Sequence, residues 1–295
     1  MKCMNYKEPL VSIVIPVKNG AKTFRRSLTS LVNQSFKNIE IIIVDNFSTD
    51  KTAEIVQEFR KKDHRVKFFR KGPERGAQMR RGISKARGKY IFITASDMVV
   101  DKELVEKSVD KCEDWCFDAV YVHIKSETKG YLSRLKALER RLYVNDALME
   151  AAFFYRRKVF LGLGGYDRDL VGVEEEFQHR LDKRGFKTGK INVFETHIDE
   201  IDSLKEIVLK SFYYGQYDIP YFKKYPLLAF KKRFPIRAAF FRNFNLLIKD
   251  FDLFIGFIIL KIFQYSFGLA GLLLGLAFTP HNAMLQKMIY EKKKK

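Results

Sequence analysis

The amino-acid sequence predicts an α/β fold: a mixed, mostly parallel sheet with helices on both faces, followed by a C-terminal helical segment of different character. Three observations predict it. Up to about residue 125, short apolar runs alternate with amphipathic stretches. Two of those runs end on an aspartate, Asp45 and Asp97. The last quarter passes from mixed aromatics and cations to an almost purely apolar stretch.

The elements follow in order. "VSIVIP", Val11 to Pro16, is a β-branched run closed by proline and reads as a buried strand. In "TFRRSLTSLVNQ", Phe24, Leu28, Leu31 and Val32 fall at helical spacing. "IEIIIVDN" is a second strand, and Ser48 or Thr49 is placed to cap the helix "DKTAEIVQEFRKK". "VKFFR" is a third strand, "AQMRRGISKA" lies in a helix, and "YIFITAS" is a fourth strand. Strands alternating with helices imply parallel pairing. Sheets of that kind bind ligands beyond the carboxyl ends of their strands, where Asp45 and Asp97 stand. Farther on, "SRLKALERRLYVNDALMEA" reads as one helix. "FLGLGGYDRDLVGVEEEFQHRLDKRG" reads as a Gly-rich turn and an acidic helix start that stops at Gly185. "TGKINVFETHIDE" reads as a strand with His197 at its end.

The 295 residues suit one large domain, or one domain with an appendage. A formal net charge of +20 favours anionic partners: phosphates, nucleic acid or an acidic membrane face. No nucleic-acid-binding motif accompanies the charge, so no nucleic-acid partner is expected. Three cysteines, Cys3, Cys112 and Cys116, argue against a disulfide scaffold. Cys112 and Cys116 would share one face of a helix and read as half-buried thiols. The N-terminal stretch lacks the small-residue cleavage site of a signal peptide, so secretion is not expected.

Four places have the residue types for chemistry. Asp45 suits either an acceptor for a nucleotide's base or ribose, or a turn built on Asp45-Asn46. Asp97 suits either a hard ligand for a divalent cation that bridges two phosphates, or an N-cap for a helix near Asp101. In "RGAQMRRGISKARGKY", arginine forks match phosphate oxygens, and Arg80 is the chosen contact. "GVEEEF" sets Glu174, Glu175 and Glu176 at a helix start. The helix dipole favours acid there, and a general base there can be aimed into a cleft.

Taken together, "VSIVIPVKNG…SLTSLVNQSFKNIEIIIVDNFSTDKT", "GAQMRRGISKARGKYIFITASDM" and "GLGGYDRDLVGVEEEFQHRLDKRGFK" resemble, in order, the inverting family-two glycosyltransferases with the Rossmann-like GT-A fold. The resemblance covers roughly the first two hundred residues. It implies a UDP- or GDP-linked nucleotide sugar at the first strand end and Asp45, with Pro16, Val17, Asn19, Arg80, Ser96 and Asp97 as contacts. It implies Mg2+ or Mn2+ at a D-x-D motif. "FITASDM" matches that motif with Asp97 as its second aspartate and Ala95 in place of the first. His197 falls where relatives carry a histidine near the diphosphate or metal, so Asp97 and His197 are the metal candidates. A catalytic carboxylate is implied in "GVEEEF": matching Phe177 to the family's leucine picks Glu174, and a slip of one picks Glu175.

The domain expectation is a GT-A domain over 1–200, an interfacial helical region over 201–252, and a hydrophobic membrane-associated helix or helices with a basic tail over 253–295. Leu253 to Phe278 is long enough for a bilayer, which takes about 20 residues. Lys261, Gln264, Gly268, Gly271 and Gly275 interrupt it, so one span and in-plane or re-entrant helices both stay open. From 227 to 295, twelve Lys or Arg stand against three Asp or Glu. Cations and aromatics beside an apolar stretch suit the headgroup boundary of an anionic membrane. The expected activity is metal-dependent inverting transfer of a sugar to a lipid-linked or glycan acceptor. The chain is expected to be membrane-associated, with its catalytic domain cytoplasmic. The alternative is a membrane-anchored binding or scaffold protein with a degenerate, inactive GT-A domain, to which Ala95 and the altered acidic motif point.

Overall fold

Continuous apolar runs fold as strands buried on both faces, and that is how the sheet begins. The structure is a computed structural model describing residues 9–73, 75–146, 149–167, 170, 172–198, 203–233 and 237–277. Cys3 and the terminal "EKKKK" run lie outside the described residues. In chain order the elements are β1 (Val11–Val17), α1 (Ala21–Val32), β2 (Ile39–Asp45), α2 (Thr52–Lys62), β3 (Val66–Arg70), α3 (Arg75–Lys85), β4 (Tyr90–Ile93), β5 (Met98–Val100), α4 (Leu104–Asp114), β6 (Ala119–Ser126), α5 (Tyr131–Leu142), β7 (Ala152–Arg156), α6 (Arg157–Gly162), α7 (Val173–Lys183), β8 (Thr188–His197), α8 (Leu204–Tyr217), α9 (Ile219–Lys224), α10 (Pro226–Arg233), α11 (Ala238–Arg242), α12 (Phe244–Ile248) and α13 (Phe251–Ala277). They group into two units. One holds residues 1–129, 143–168 and 172–200; the other holds 130–142, 169–171 and 201–295.

The first unit is an eight-stranded sheet in the order β3-β2-β1-β4-β7-β6-β8-β5. Every residue of β1 and β2 is buried. β1 pairs in parallel with β2, Val17 opposite Asp45, and with β4, Val11 opposite Tyr90. The strand order therefore reverses direction between β1 and β4, the crevice where such sheets bind ligands. Phe24, Leu28 and Leu31 of α1 pack into the same core as Ile13, Ile15 and Ile41. The rest of the sheet is mixed: β7 runs antiparallel to β4 and β6, and β5 runs antiparallel to β8.

Five expectations are corrected. The fourth strand stops at Ile93, and the chain re-enters the sheet as β5 at its far edge. β6 and β7 are additional strands. The helix expected over "SRLKALERRLYVNDALMEA" stops at Leu142, because Asn145 at φ 64° turns the chain toward β7. Cys112 is fully buried in α4, and burial pushes its thiol up to about 12. Cys116 lies past the end of that helix at φ 53° and is exposed, so the two do not share a helix face. Neither Ser48 nor Thr49 caps α2: Asp50 Oδ1 accepts from the Thr52 N–H (3.1 Å), while Ser48 and Thr49 serve the site described below.

The second unit is helical. Leu135, Leu138 and Leu142 of α5 cluster with Ile207, Leu247, Phe257 and Leu260. The helix α13 is long and apolar enough to cross a membrane by length and composition.

Candidate functional site

Two loops at the carboxyl ends of β1 and β2 bond to each other and make a floor. Asn19, at φ 50°, donates its backbone N–H to Ser48 Oγ (2.8 Å), and its Oδ1 accepts from the Thr49 N–H (2.9 Å). Asparagine tolerates the left-handed region because its short polar side chain bonds locally. Next along, the Gly20 N–H donates to Thr52 Oγ1 and the Ala21 N–H to Asp50 Oδ2, both at 2.9 Å. Asp45 is fully buried and accepts from the Ser48 N–H and Oγ–H, with Arg70 Nε 3.6 Å away. Pro16 and Val17 are buried in β1. The Val17 carbonyl accepts from the Asn46 N–H (2.9 Å) and from Gln78 Nε2 (2.8 Å).

Between Asp45 and Ser48 stands Phe47. It holds φ 50°, and its side chain is 61% exposed. A bulky residue in that region is a genuine outlier, costing about 1–3 kcal/mol. Most of the ring is exposed, so burial offsets little of that cost.

On the other side of the crevice, Ser96 and Asp97 occupy the step from β4 to β5. The antiparallel pairing of β5 with β8 sets Met98 opposite His197, and the Ile198 N–H donates to the Asp97 carbonyl (2.8 Å). His197 Nε2 thereby lies 3.5 Å from Asp97 Oδ2. Asp97 Oδ1 is buried and has no hydrogen-bond partner among the described residues. Asp97 caps no helix, since α4 starts after Glu103. Behind the pair, Glu195 is fully buried and accepts from Thr94 Oγ1 (2.5 Å). Burial, reinforced by the charge of Asp97, pushes its carboxyl up to about 8, so it is largely neutral near pH 7. Ala95 is half-buried, with its carbonyl accepting from the Met98 N–H (3.3 Å) and Ser27 Oγ (3.4 Å).

An ionised carboxylate oxygen that is buried and unbonded is a hard, anionic donor, which is what Mg2+ or Mn2+ takes. Asp97 with His197 fits such an ion as a two-residue site. Among the described residues no group of three His, Cys, Asp or Glu stands ready to hold one. The remaining positions would fall to water and to phosphate oxygens.

The helix α3 covers the strand ends: buried Gln78 donates from Nε2 to the carbonyls of Val17 and Val44 (2.6 Å). Arg80 is half-buried on the same helix and makes no ion pair among the described residues. Arg75, at the start of α3, pairs with Glu174 Oε1 at 2.5 Å across 99 positions. The three glutamates of α7 thus separate by geometry. Glu174 faces α3. Glu175 turns back toward Gly172, where a Cβ would lie 3.2 Å from its Oε2; Gly172 holds φ 76°, the left-handed region that favours glycine. Glu176 is fully buried and grips Arg180, Oε1 to Nε at 2.6 Å and Oε2 to NH2 at 2.8 Å. Arg180 in turn donates to the carbonyls of Leu163 and Gly165 and so holds the Gly-rich turn.

Of the expected residues, the structure brings Asn19 and Asp45 together, and separately Asp97 and His197. It adds Ser48, Phe47, Gln78 and Arg75. Phe47 and Gln78 carry no local signal, since one acts through an unusual backbone angle and the other through distant carbonyls; Arg75 lies in the arginine-rich stretch, but its partner Glu174 is distant in sequence.

A family model described as Glycosyl transferase family 2 matches residues 12–166, more than half of the chain. An uncharacterised glycosyltransferase of Haemophilus influenzae is 38% identical over 104 residues, 35% of this chain and 42% of that protein. Glycosyltransferase GlyG of Streptococcus pneumoniae is 34% identical over 113 residues, 38% of each. The chain thus spans about two-fifths of the length of these relatives. Among solved structures, a mannosyltransferase from Pyrobaculum calidifontis in complex with GDP-Man and Mn2+ superposes with a TM-score of 0.58 at 15% identity, over 96% of this chain and 80% of that one. S. aureus TarS in complex with UDP-GlcNAc gives 0.55 at 14%, over 86% and 81%. Those likenesses show the fold, the GT-A architecture. With a single family model running from the first strand through the Gly-rich turn, this chain belongs to glycosyl transferase family 2.

Proposed function

We propose that this chain transfers a sugar, with inversion, from a nucleoside diphosphate sugar to an acceptor held at a membrane, from the cytoplasmic side. The observation that carries the proposal is the Asp97–His197 pair at the carboxyl edge of the sheet, with one carboxylate oxygen left for a ligand. The bound donors of the fold neighbours, GDP-Man and UDP-GlcNAc, support a UDP- or GDP-linked sugar here. The nucleoside half sits on the Asn19–Asp45 floor, with Pro16 and Val17 shaping it. The diphosphate reaches Ser96, Asp97 and Arg80. A divalent cation held by Asp97 and His197 would neutralise charge on the diphosphate. Glu174 accepts the proton of the acceptor hydroxyl as its oxygen bonds to the anomeric carbon. The bond from that carbon to the diphosphate breaks, and its electron pair leaves with the nucleoside diphosphate. Arg75 holds Glu174 in place before the acceptor arrives.

The test is a panel of sugar nucleotides read by thermal shift with and without Mn2+, followed by turnover with the best binder. A matching donor stabilises the fold by mass action, about 2.7 kcal/mol at a hundred times its Kd. A chain that binds donors with Mn2+ and neither hydrolyses nor transfers them would support the scaffold alternative instead.

Phe47 is the aromatic platform for the base in this reading. Stacking a base on an aromatic ring is worth about 1–3 kcal/mol. Phe47→Asn is therefore expected to weaken donor binding roughly 5- to 100-fold. It should also leave stability equal or higher, because asparagine accepts φ 50° more readily. Titration calorimetry beside thermal melting checks both, and unchanged donor affinity would remove Phe47 from the site.

Ala95→Asp restores the missing first aspartate of the motif. The position is half-buried, so the change is expected to cost little, within about 0.5 kcal/mol, while tightening Mn2+ binding. A melting temperature lowered by many degrees would show that the side chain has no room and that the strand match is displaced.

A further inference from the structure

We propose that the second unit binds an anionic bilayer as an in-plane, single-leaflet device: α13 lies along the membrane surface with one face among the acyl chains, and does not cross. The proposal goes beyond the catalytic reading and rests on it only in supposing that the acceptor is presented at that surface.

Length alone would permit a crossing, since 27 residues at 1.5 Å each make about 40 Å against a hydrocarbon core of about 30 Å. The packing of α13 within its unit argues otherwise. Its first turns run beside α5. The Tyr131 hydroxyl donates to the Asp252 carbonyl (2.6 Å), Arg134 pairs with Asp250 (2.9 Å), and Lys261 pairs with Glu139 (2.5 Å), which also takes Lys136 (2.8 Å). In twelve residues α5 carries Arg134, Lys136, Glu139, Arg140 and Arg141. Lys261 stands about 15 Å along the helix from Phe251, at ten steps of 1.5 Å. A crossing that began at Phe251 would put this charged cluster, and α5 with it, near the middle of the bilayer. Each charge there costs about 2.5–3.5 kcal/mol even on the lenient insertion scale. Beyond that cluster the described part of the helix, from Ile262 to Ala277, runs about 24 Å. It is lined by α8, whose backbone meets it so closely that no Cβ fits at Gly215 or Gly271. Lys205, Glu206 and Lys210 ride on α8.

The opposite face of α13 has a different character. Phe251, Ile255, Ile258, Ile262, Leu269 and Leu273 are exposed by 42–72%. At 3.6 residues per turn these six fall within an arc of about 60°, and exposed Ile259, Phe263 and Phe267 widen the apolar face to about half of the helix. The unit rather than α13 alone is therefore amphipathic: the apolar face of α13 lies on one side, and α5 and α8 with their charges pack on the other, as an assembly lying in an interface requires. The occupant is an anionic bilayer rather than a protein because of what flanks the stripe. Exposed Leu227, Phe230, Phe241 and Phe244 interleave with Lys231, Arg242 and Lys249 in the same unit. Aromatics and cations together suit the headgroup level of an acidic membrane.

The experiment uses the full chain with a protease-cleavable C-terminal tag, added to sealed vesicles of neutral lipid or of neutral lipid with anionic lipid. Flotation with the anionic vesicles is expected, together with cleavage of the tag by protease added outside. The double variant I258E/I262E should lower partition by more than about tenfold, as each isoleucine forfeits about 2–3 kcal/mol of burial. Donor hydrolysis by that variant should be unchanged, so a failure of membrane binding is distinguishable from a failure of the catalytic reading. Three results would overturn the proposal: a tag protected inside the vesicles, which means a crossing; partition unaffected by the variant; or no flotation with a sedimentation mass of two chains, which means that a second copy covers the stripe.

Discussion

Asp97→Ala is expected to abolish measurable transfer while the protein still folds. The side chain sits in the step between β4 and β5 rather than in the core, and its one described charged contact is His197 at 3.5 Å. Loss of such a pair at a partly exposed position costs little stability, about 0–1 kcal/mol. The catalytic loss is of another size. Removing one group that stabilises the charge developing on a leaving group costs on the order of 10²–10³ in kcat. Loss of a bound cation costs several kcal/mol more. A second readout accompanies activity. Asp97's charge is one cause that raises Glu195, so in Asp97→Ala the Glu195 carboxyl should titrate lower, visible by carboxyl infrared or NMR. Near-normal turnover of the variant with Mn2+ would remove Asp97 from the metal site.

The parallel half of the sheet is legible because each strand there is a closed apolar run and each helix an amphipathic one. β1, β2 and β3 begin and end within a residue or so of their expected bounds. The antiparallel half is not legible in the same way. "AFFYR" of β7 follows a helix with no Gly or Pro between them, and among the described residues Asn145 at φ 64° interrupts the apparent helical period. "YIFITAS" reads as one strand because its composition does not change where the chain leaves the sheet at Thr94. That exit frees Ser96 and Asp97 from the ladder.

The placement of the candidate residues is legible where one residue type near one strand end suffices, as at Asp45 and Asp97. It is opaque wherever function is a relation between distant segments. His197 gains its meaning from the register of β5 on β8, and Arg75 from a helix 99 positions away. Phe47 is opaque for another reason: composition says nothing of a backbone angle, and an aromatic in a loop looks ordinary until its φ and exposure are known.

The run Glu174-Glu175-Glu176 shows the same limit most sharply, because three identical residues are expected to respond to amide substitution in three different ways. Glu174→Gln keeps shape and removes the proton acceptor. General base catalysis is worth about 10²–10⁴-fold, so kcat should fall by that much while donor affinity and melting temperature stay near their original values. Glu175→Gln should change turnover little, because that side chain turns back over Gly172. Glu176→Gln should act on the fold. Glu176 is fully buried and holds Arg180, which in turn holds the carbonyls of the Gly-rich turn. The amide keeps one of the two hydrogen bonds and loses the charge, at a cost of roughly 1–3 kcal/mol. Arg180 remains partly solvated, which keeps the cost below that of breaking a fully buried pair. Steady-state kinetics with thermal melting on the three variants separates the roles. If Glu175→Gln carries the large loss in kcat and Glu174→Gln does not, the base is one residue later and the Arg75–Glu174 pair is a tie between α3 and α7 only.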